Sequence, residues 1–226
     1  MPRRPRNAPG DYVYHVLNRA NERARLFSDP SDYMAFRSTL AEALKRVPIR
    51  LLAFCLMPNH WHMVLWPRTD DELPMFMAWM TGTHAVRWRM GRDTVGNGHV
   101  YQDRYKAFPV ESNAHFLTVC RYVERNPLRA GLVQRAEDWP WSSILSHRTR
   151  RLGDSISLCE WPIPTPDDWL RLVNTPQTRN EIAALRLSIR KNRPFGSESW
   201  QKEVSVRLGI DLSVHPRGRP QKPRAD

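Results

Sequence analysis

Residues 49–67 read I-R-L-L-A-F-C-L-M-P-N-H-W-H-M-V-L-W-P, two apolar runs separated by the pair Pro58-Asn59. Aliphatic and aromatic residues of this kind favour β-strands, and proline cannot donate to a sheet ladder. We therefore predict two consecutive strands that are joined at Pro58-Asn59. Because side chains alternate along a strand, His60 and His62 are expected on one face of the sheet and Trp61 on the other.

Two imidazoles on one sheet face can bind a single metal ion. A His-x-His pair at a strand end is nevertheless more often a pair of ordinary surface or core histidines. The spacing of His60 and His62 does not separate these two interpretations. A metal role therefore depends on what else the chain brings to the same face.

The composition of the chain points to a polyanionic partner. The 226 residues are 41% hydrophobic and carry a formal net charge of +12, which allows one folded domain with an appendage and favours binding to nucleic acid. Nine tryptophans accompany this charge. Most are expected in the core, with a minority free to stack on unpaired bases.

The cysteines and the N-terminus bear on where the protein works. The three cysteines, Cys55, Cys120 and Cys159, are widely spaced and form no CxxC pair, so neither a disulfide framework nor a zinc knuckle is indicated. The first residues, M-P-R-R-P-R, lack the apolar core of a signal peptide. We expect a cytoplasmic protein without a membrane partner, since no apolar run approaches spanning length.

The remaining elements of the first two thirds are predicted from periodicity and caps. They are a strand over 11–18, a helix capped by Ser31 and ending at Arg46, a helix from 70 to about 91, a strand over 100–110, and a helix capped by Ser112 and running from 113 to about 125. This order predicts an α+β fold of the ferredoxin-like or RNA-recognition-like type, with an antiparallel sheet and helices on one face. His60 and His62 would then point to the open face.

The last of these helices carries a second candidate group. The stripe predicted to be buried consists of Phe116, Cys120 and Val123. Tyr122 and Asn126 lie off this stripe, one turn apart on a common face. A packing role is the alternative for Tyr122. Pro127 is predicted to end the helix, because the residue before a proline avoids helical geometry.

From residue 149 onward the character of the chain changes. Prolines predict a linker, and short helices are expected from 166, over 180–191 and over 198–208. We predict a main domain at 1–148, a small helical appendage at 149–214 and a basic disordered tail at 215–226. The tail segment P-R-G-R-P resembles an AT-hook, whose two arginines, here Arg217 and Arg219, enter a narrow minor groove. A plain disordered tail is the alternative.

The combination of M-P-N-H-W-H at 57–62 with C-R-Y-V-E-R-N-P-L-R-A-G-L-V at 120–133 resembles the REP-associated tyrosine transposases. These belong to the insertion-sequence, IS200-like, single-tyrosine branch of the HUH nucleases. The resemblance covers about residues 14–143, and R-P-F-G-S-E-S-W at 193–200 is similar to the C-terminal extension of longer members. One departure is Ala20, where relatives often have glycine, and it concerns only a local turn.

This resemblance implies a metal-dependent endonuclease and strand transferase for single-stranded DNA. Tyr122 matches the nucleophile, His60 and His62 match the metal-binding histidines, and Asn126 matches a polar third ligand. The family uses Mg or Mn. The resemblance further implies cleavage beside hairpins of the REP type through a 5′-phosphotyrosine intermediate, by a bacterial, nucleoid-associated protein that is a monomer or a homodimer.

The residue types suit this chemistry. Transesterification needs an oxygen nucleophile and a positive centre beside the phosphate oxygens. A free phenol has a pKa near ~10, so the tyrosine must be activated. His115 lies two turns before Tyr122 on a similar face, but the sequence identifies no general base.

Four basic residues of the main domain, together with the two tail arginines, are the candidate DNA contacts. The four are Arg87, Arg89, Arg104 and Lys106. Collectively they predict a steep salt dependence of DNA binding. Two other functions stay open: a non-catalytic nucleic-acid-binding regulator on the same fold, and a zinc-stabilised RNA-binding protein. A covalent DNA adduct separates the nuclease from both.

Overall fold

The computed structural model describes residues 8–94, 98–146, 156–210 and 212. The elements up to residue 129 are β1 (Val13–Arg19), α1 (Pro30–Arg46), β2 (Arg50–Met57), β3 (His60–Trp66), α2 (Glu72–Met90), β4 (Lys106–Val110), α3 (Ala114–Glu124) and α4 (Asn126–Arg129). In the described part of the chain after residue 155, three more α-helices follow, α5 (Trp169–Asn174), α6 (Arg179–Lys191) and α7 (Glu198–Leu208). They correspond to the short helices predicted for the C-terminal appendage.

The four strands form one antiparallel sheet in the order β2-β3-β1-β4. This confirms the predicted ferredoxin-like arrangement. The β2–β3 hairpin closes at Pro58 and Asn59, as predicted. Backbone bonds fix this turn to the segment after β1, because the Leu26 amide donates to the Pro58 carbonyl (2.8 Å) and the Ala20 amide donates to the Asn59 carbonyl (2.9 Å).

The first face of the sheet is covered by α1 and α2, which pack against each other. The alternating residues Trp61, Met63 and Leu65 of β3 are fully buried in the hydrophobic cluster on this face. Val64, between Met63 and Leu65, belongs instead to the cluster on the second face. The predicted alternation is therefore confirmed, and His60 and His62 lie on the second face.

We had expected the second face to be open. In the structure α3 lies across it. Val119 and Val123 of α3 share a hydrophobic cluster with Val64 of β3 and Phe108 of β4. The reason is that this face of the sheet is itself largely apolar, and exposing it to water would be unfavourable. The C-terminal helices add to the same cluster, for example through Trp169 of α5.

The start of one predicted strand and two predicted caps differ from the structure. Residues 100–105 are not part of β4, because Tyr101 turns into the core, where its hydroxyl bonds to Nδ1 of the His84 ring (2.7 Å). Helix α1 is capped by Asp29, which precedes Pro30, and α3 is capped by Asn113. Both caps accept a backbone N–H two residues on, as the short polar side chains preferred at this position do.

The break after Tyr122 also differs from expectation. Pro127 does not end a helix. Instead α3 ends at Glu124, and α4 begins at Asn126 with Pro127 in its first turn, where the missing proline N–H is not needed. Gly131, at φ +70°, follows α4 in the left-handed conformation that favours glycine. Within the described ranges, no helix combines the length and apolarity needed to cross a bilayer.

Candidate active site

His60 and His62 begin strand β3, and their rings lie 5.0 Å apart at 86°. His62 is buried, and His60 is partly buried. Burial lowers the pKa of His60 to about 4, and it lowers the pKa of His62 well below its ordinary value. Both imidazoles are therefore neutral near pH 7, which is the form that binds metals.

Each imidazole has its Nδ1 atom engaged by a neighbour. Nδ1–H of His60 donates to Oδ1 of Asn59 at 2.6 Å. Nδ1 of His62 lies 2.9 Å from Nε2 of His15 on strand β1. In both rings Nε2 is therefore the nitrogen that could bind a metal ion in the pocket that the two histidines line, and in His60 this atom also has a contact with Asn126.

Tyr122 of α3 projects toward the same place. Its ring centroid lies 5.9 Å from that of His62, and only 7% of its surface is exposed. The sequence placed Tyr122 off the buried stripe, yet it is buried. The reason is that α3 lies flat on the sheet, so the helix face toward the histidines is covered as well.

Asn126 and Arg129 connect the tyrosine to the histidines. Nδ2 of Asn126 donates to Nε2 of His60 at 3.3 Å, and Nη2 of Arg129 donates to Oδ1 of Asn126 at 2.7 Å. The Arg129 guanidinium also lies 3.8 Å above the centre of the Tyr122 ring, a cation–π arrangement. Asn126 is thus next to His60, as predicted, but its amide oxygen faces Arg129.

A pocket of about 210 Å³ is lined by His60, His62 and Tyr122. Arg104 and Lys106, two of the predicted DNA contacts, belong to it. The described residues that line it are Leu17, Asn18, Arg19, His60, His62, Gln102, Asp103, Arg104, Lys106, Tyr122 and Ile189. Sequence reasoning missed Gln102 and Asp103, because residues 100–105 were expected in a strand.

The other candidate DNA contacts do not line this pocket. Arg87 lies on α2 and forms a two-pronged ion pair with Glu42 of α1, both contacts at 2.8 Å, on the first face of the sheet. Arg89 lines a different cavity, beside Val100 and Tyr101. Arg217 and Arg219 lie outside the described residues.

His115, considered as a base, is also placed elsewhere. Its Nδ1 atom lies 2.8 Å from Oδ1 of Asn113 and 3.4 Å from a carboxylate oxygen of Glu111. Its ring packs edge-on against Phe195, in a cavity between α3 and α6. His115 is therefore not positioned as a base for Tyr122.

The donor atoms at the pocket fit a metal ion in part. Among the described residues, no group of three or more His, Cys, Asp or Glu side chains is arranged to hold one. The Nε2 atoms of His60 and His62 are imidazole donors of the kind that divalent transition metals accept. The amide oxygen of Asn126 could join them only by turning away from Arg129.

An antiparallel sheet whose His-x-His pair faces a tyrosine on a helix defines the single-tyrosine class of HUH proteins. The sequence profile of the family described as "Transposase IS200 like" matches residues 10–126. The chain belongs to this family, a family of DNA-processing enzymes.

Named relatives agree with this assignment. A REP-associated tyrosine transposase of Escherichia coli strain K12 is 22% identical over 141 residues, which cover 60% of this chain and 77% of that protein. A protein of Haemophilus influenzae assigned to the same group is 24% identical over 124 residues, covering 50% of this chain and 70% of that protein. The solved structure of a REP-associated tyrosine transposase bound to a REP hairpin shares the fold, with a TM-score of 0.51 and 17% identity over 72% of this chain and 95% of that chain.

Proposed function

We propose that this chain is a metal-dependent endonuclease and strand transferase that cuts single-stranded DNA beside REP-like hairpins. The observation that carries the proposal is the gathering of His60, His62 and Tyr122 around one pocket with Arg104 and Lys106 on its wall. A non-catalytic DNA-binding protein would have no need of a tyrosine 5.9 Å from a buried, neutral histidine ring.

In the proposed reaction, the Tyr122 hydroxyl oxygen attacks a backbone phosphorus atom. A phosphorus–oxygen bond to tyrosine forms, and the bond to the 3′ oxygen of the preceding nucleotide breaks. The phenol proton leaves with the displaced 3′ oxygen, giving a free 3′ hydroxyl and a 5′-phosphotyrosine. Attack by a 3′ hydroxyl on this linkage reverses the step, so strands can be rejoined.

His60 and His62 would hold the metal through their Nε2 atoms, with Asn126 as a third ligand once its oxygen is released by Arg129. When bound, Mg²⁺ or Mn²⁺ would supply positive charge to the phosphate oxygens as they gain negative charge. Arg104 adds a fixed positive charge on the pocket wall, which favours the same phosphate.

The appendage takes part in the proposed site. Ile189 of α6 lines the pocket, and Nζ of Lys106 donates to the Ile189 carbonyl at 3.2 Å. The structural relative is a protein bound to a REP hairpin. By likeness to it, we propose that the partner of this chain is a hairpin with a single-stranded flank, whose unpaired backbone enters beside Lys106.

The test is a covalent adduct seen on a denaturing gel, with a hairpin-bearing single strand and Mn²⁺ or Mg²⁺. We expect an adduct with the wild-type protein and none with Tyr122→Phe, which removes only a hydroxyl and should still bind the hairpin. Tyr12→Phe, remote from the pocket, is the matched control and should react normally. An adduct formed by Tyr122→Phe at the wild-type rate would refute the assignment of the nucleophile.

The histidines are tested by the same assay. His60→Ala or His62→Ala is expected to reduce adduct formation at least ~100-fold, since the positive centre at the phosphate is lost. The hairpin affinity should remain close to that of the wild type. The thermal transition should stay cooperative, and for His62→Ala it should lie at a lower temperature, because a buried ring is lost. A wild-type protein that binds the hairpin but yields no adduct with either metal would instead favour the DNA-binding regulator.

A further inference from the structure

His15 on strand β1 is a buried histidine that the proposed reaction leaves without a role. It lies on the second face of the sheet, with 0% of its surface exposed. Its Nε2 atom is 2.9 Å from Nδ1 of His62, and the two rings stack at 5.0 Å and 23°. Phe108 packs edge-on against His15 at 5.1 Å. The ring of His15 is therefore held firmly behind the ring of His62.

A neutral imidazole has one N–H and one lone pair, so the His15–His62 hydrogen bond can form in two ways. If Nε2 of His15 donates, the proton of His62 is on Nε2, and His62 turns an N–H toward the pocket. If Nδ1 of His62 donates, its Nε2 keeps a lone pair. Only the second arrangement lets His62 bind a metal ion.

We propose that His15 is a positioning residue that accepts Nδ1–H of His62 and so directs the Nε2 lone pair of His62 into the pocket. This inference rests on the proposed function, because the lone pair matters only if His62 binds the metal. Groups that bond to the far nitrogen of a metal-binding histidine fix its tautomer and ring orientation. Such groups are usually a carboxylate or a carbonyl, and here the group is a second imidazole.

The use of an imidazole has a consequence at its other nitrogen. Nδ1 of His15 is buried and has no hydrogen-bond partner among the described residues. When His15 accepts through Nε2, its own proton must be on Nδ1, which leaves a buried N–H unpaired. Unpaired buried N–H groups are unfavourable. An acceptor without this second nitrogen should therefore hold His62 in the metal-binding tautomer at least as well.

The experiment measures Mn²⁺ binding by calorimetry, without DNA, and compares the full-length wild-type chain with full-length variants. His15→Phe fills the space but cannot accept, and we expect it to weaken Mn²⁺ binding about 10–100-fold, the usual effect of losing such a partner. His15→Gln carries an amide oxygen that can accept, and it should bind Mn²⁺ as tightly as the wild type or more tightly. His84→Gln is the control, because His84 is equally buried on the first face and should not alter Mn²⁺ binding.

A second measurement reads the tautomer directly. Nitrogen-15 spectra of the imidazoles in the metal-free wild-type chain should show the proton of His62 on Nδ1, because no metal ion is then present to impose that tautomer. This arm decides the inference even if His15→Phe fails to fold. A His62 proton on Nε2 in the metal-free chain would overturn the role of His15.

Two results of the binding measurement would also overturn it: wild-type Mn²⁺ affinity in a folded His15→Phe protein, or an equal loss in His15→Gln and His15→Phe. A failure of the proposed function looks different. In that case the wild-type chain itself binds no Mn²⁺ and forms no DNA adduct, and the inference on His15 fails with it.

Discussion

Arg129 is the side chain that couples the proposed nucleophile to the histidine pair. It stacks on the ring of Tyr122, donates to Oδ1 of Asn126, and through Asn126 reaches His60. A guanidinium can make these contacts together, because it is planar, offers several donors in a fixed plane and stacks on aromatic faces. Arg129 therefore sets the relative positions of three groups that act on one phosphate in the proposed reaction.

Arg129→Lys is expected to lower the initial rate of adduct formation by roughly 10–100-fold, because small displacements of reacting groups cost rate on this order. Hairpin affinity, measured by fluorescence anisotropy, should change much less. Arg87→Lys, which alters an exposed pair with Glu42, is the control and should leave the rate unchanged. An Arg129→Lys protein with the wild-type rate would show that the stacked guanidinium is not needed.

Local patterns in the sequence were sufficient to predict His60, His62 and Tyr122 as candidates, and the structure brings these three residues to one pocket. Strand alternation put the two histidines on one face, and a motif marked the tyrosine. His15 and Arg129 were missed for a different reason. The contact of His15 with His62 depends on the pairing of β1 with β3, and that of Arg129 depends on the break between α3 and α4. Neither feature is visible in local periodicity.

At the scale of elements, α3 is held from behind by the C-terminal helices. The buried carboxylate of Glu124 accepts from Ser143 Oγ at 2.6 Å and from Trp169 Nε1 at 2.7 Å. Arg121 and Arg125 donate to carbonyls at the end of α5, each with a contact at 2.7 Å. The helix that carries Tyr122 is thus fixed between the sheet and α5.

Trp169→Phe tests this support. The indole N–H is lost while most of the ring volume is kept, so one oxygen of the buried Glu124 loses a donor. We expect unfolding in urea to become easier by about 1–3 kcal/mol. Trp79→Phe makes the same change at a half-buried position on α2 and should cost about 0.5 kcal/mol or less. Equal effects in the two variants would contradict the role given to the Trp169–Glu124 bond.

Helix α2 carries a further buried histidine that predicts a pH dependence. Burial between the helices and the sheet lowers the pKa of His84 from 6.5 to about 4. Between these two values the unfolded chain binds a proton that the folded chain does not. Stability is therefore unaffected by this group above pH 6.5 and falls as the pH drops from 6.5 toward 4.

His84→Gln removes this titration. Urea unfolding at pH 7.5 and pH 5 should show a smaller loss of stability on acidification in the variant than in the wild type. His15 and His60, whose pKa values are also lowered by burial, keep part of the pH dependence in both proteins. If acidification lowers the stability of both proteins equally, His84 must already be protonated in the folded protein at pH 5.

At the scale of the whole molecule, the net charge of +12 indicated a polyanionic partner but not where the basic side chains gather. Arg87 forms an ion pair with Glu42 between α2 and α1, and a count of basic residues cannot reveal such a pair. Arg19, Arg104 and Lys106 instead meet at the pocket, because the end of β1, the loop before β4 and the start of β4 lie side by side in the sheet order. The distribution of charge therefore follows from topology.

This distribution predicts the salt dependence of hairpin binding. Each cation that neutralises a phosphate of a single strand adds about 0.7 to the slope of log affinity against log salt concentration. The double variant Arg19→Gln with Arg104→Gln should thus flatten the slope by roughly 1.4. The control is a second double variant, Lys45→Gln with Lys202→Gln, which changes two exposed lysines on α1 and α7. The two double variants have the same net charge. If both double variants change the slope equally, overall charge attracts the DNA, whereas a change confined to the first places the unpaired strand at the pocket of Tyr122.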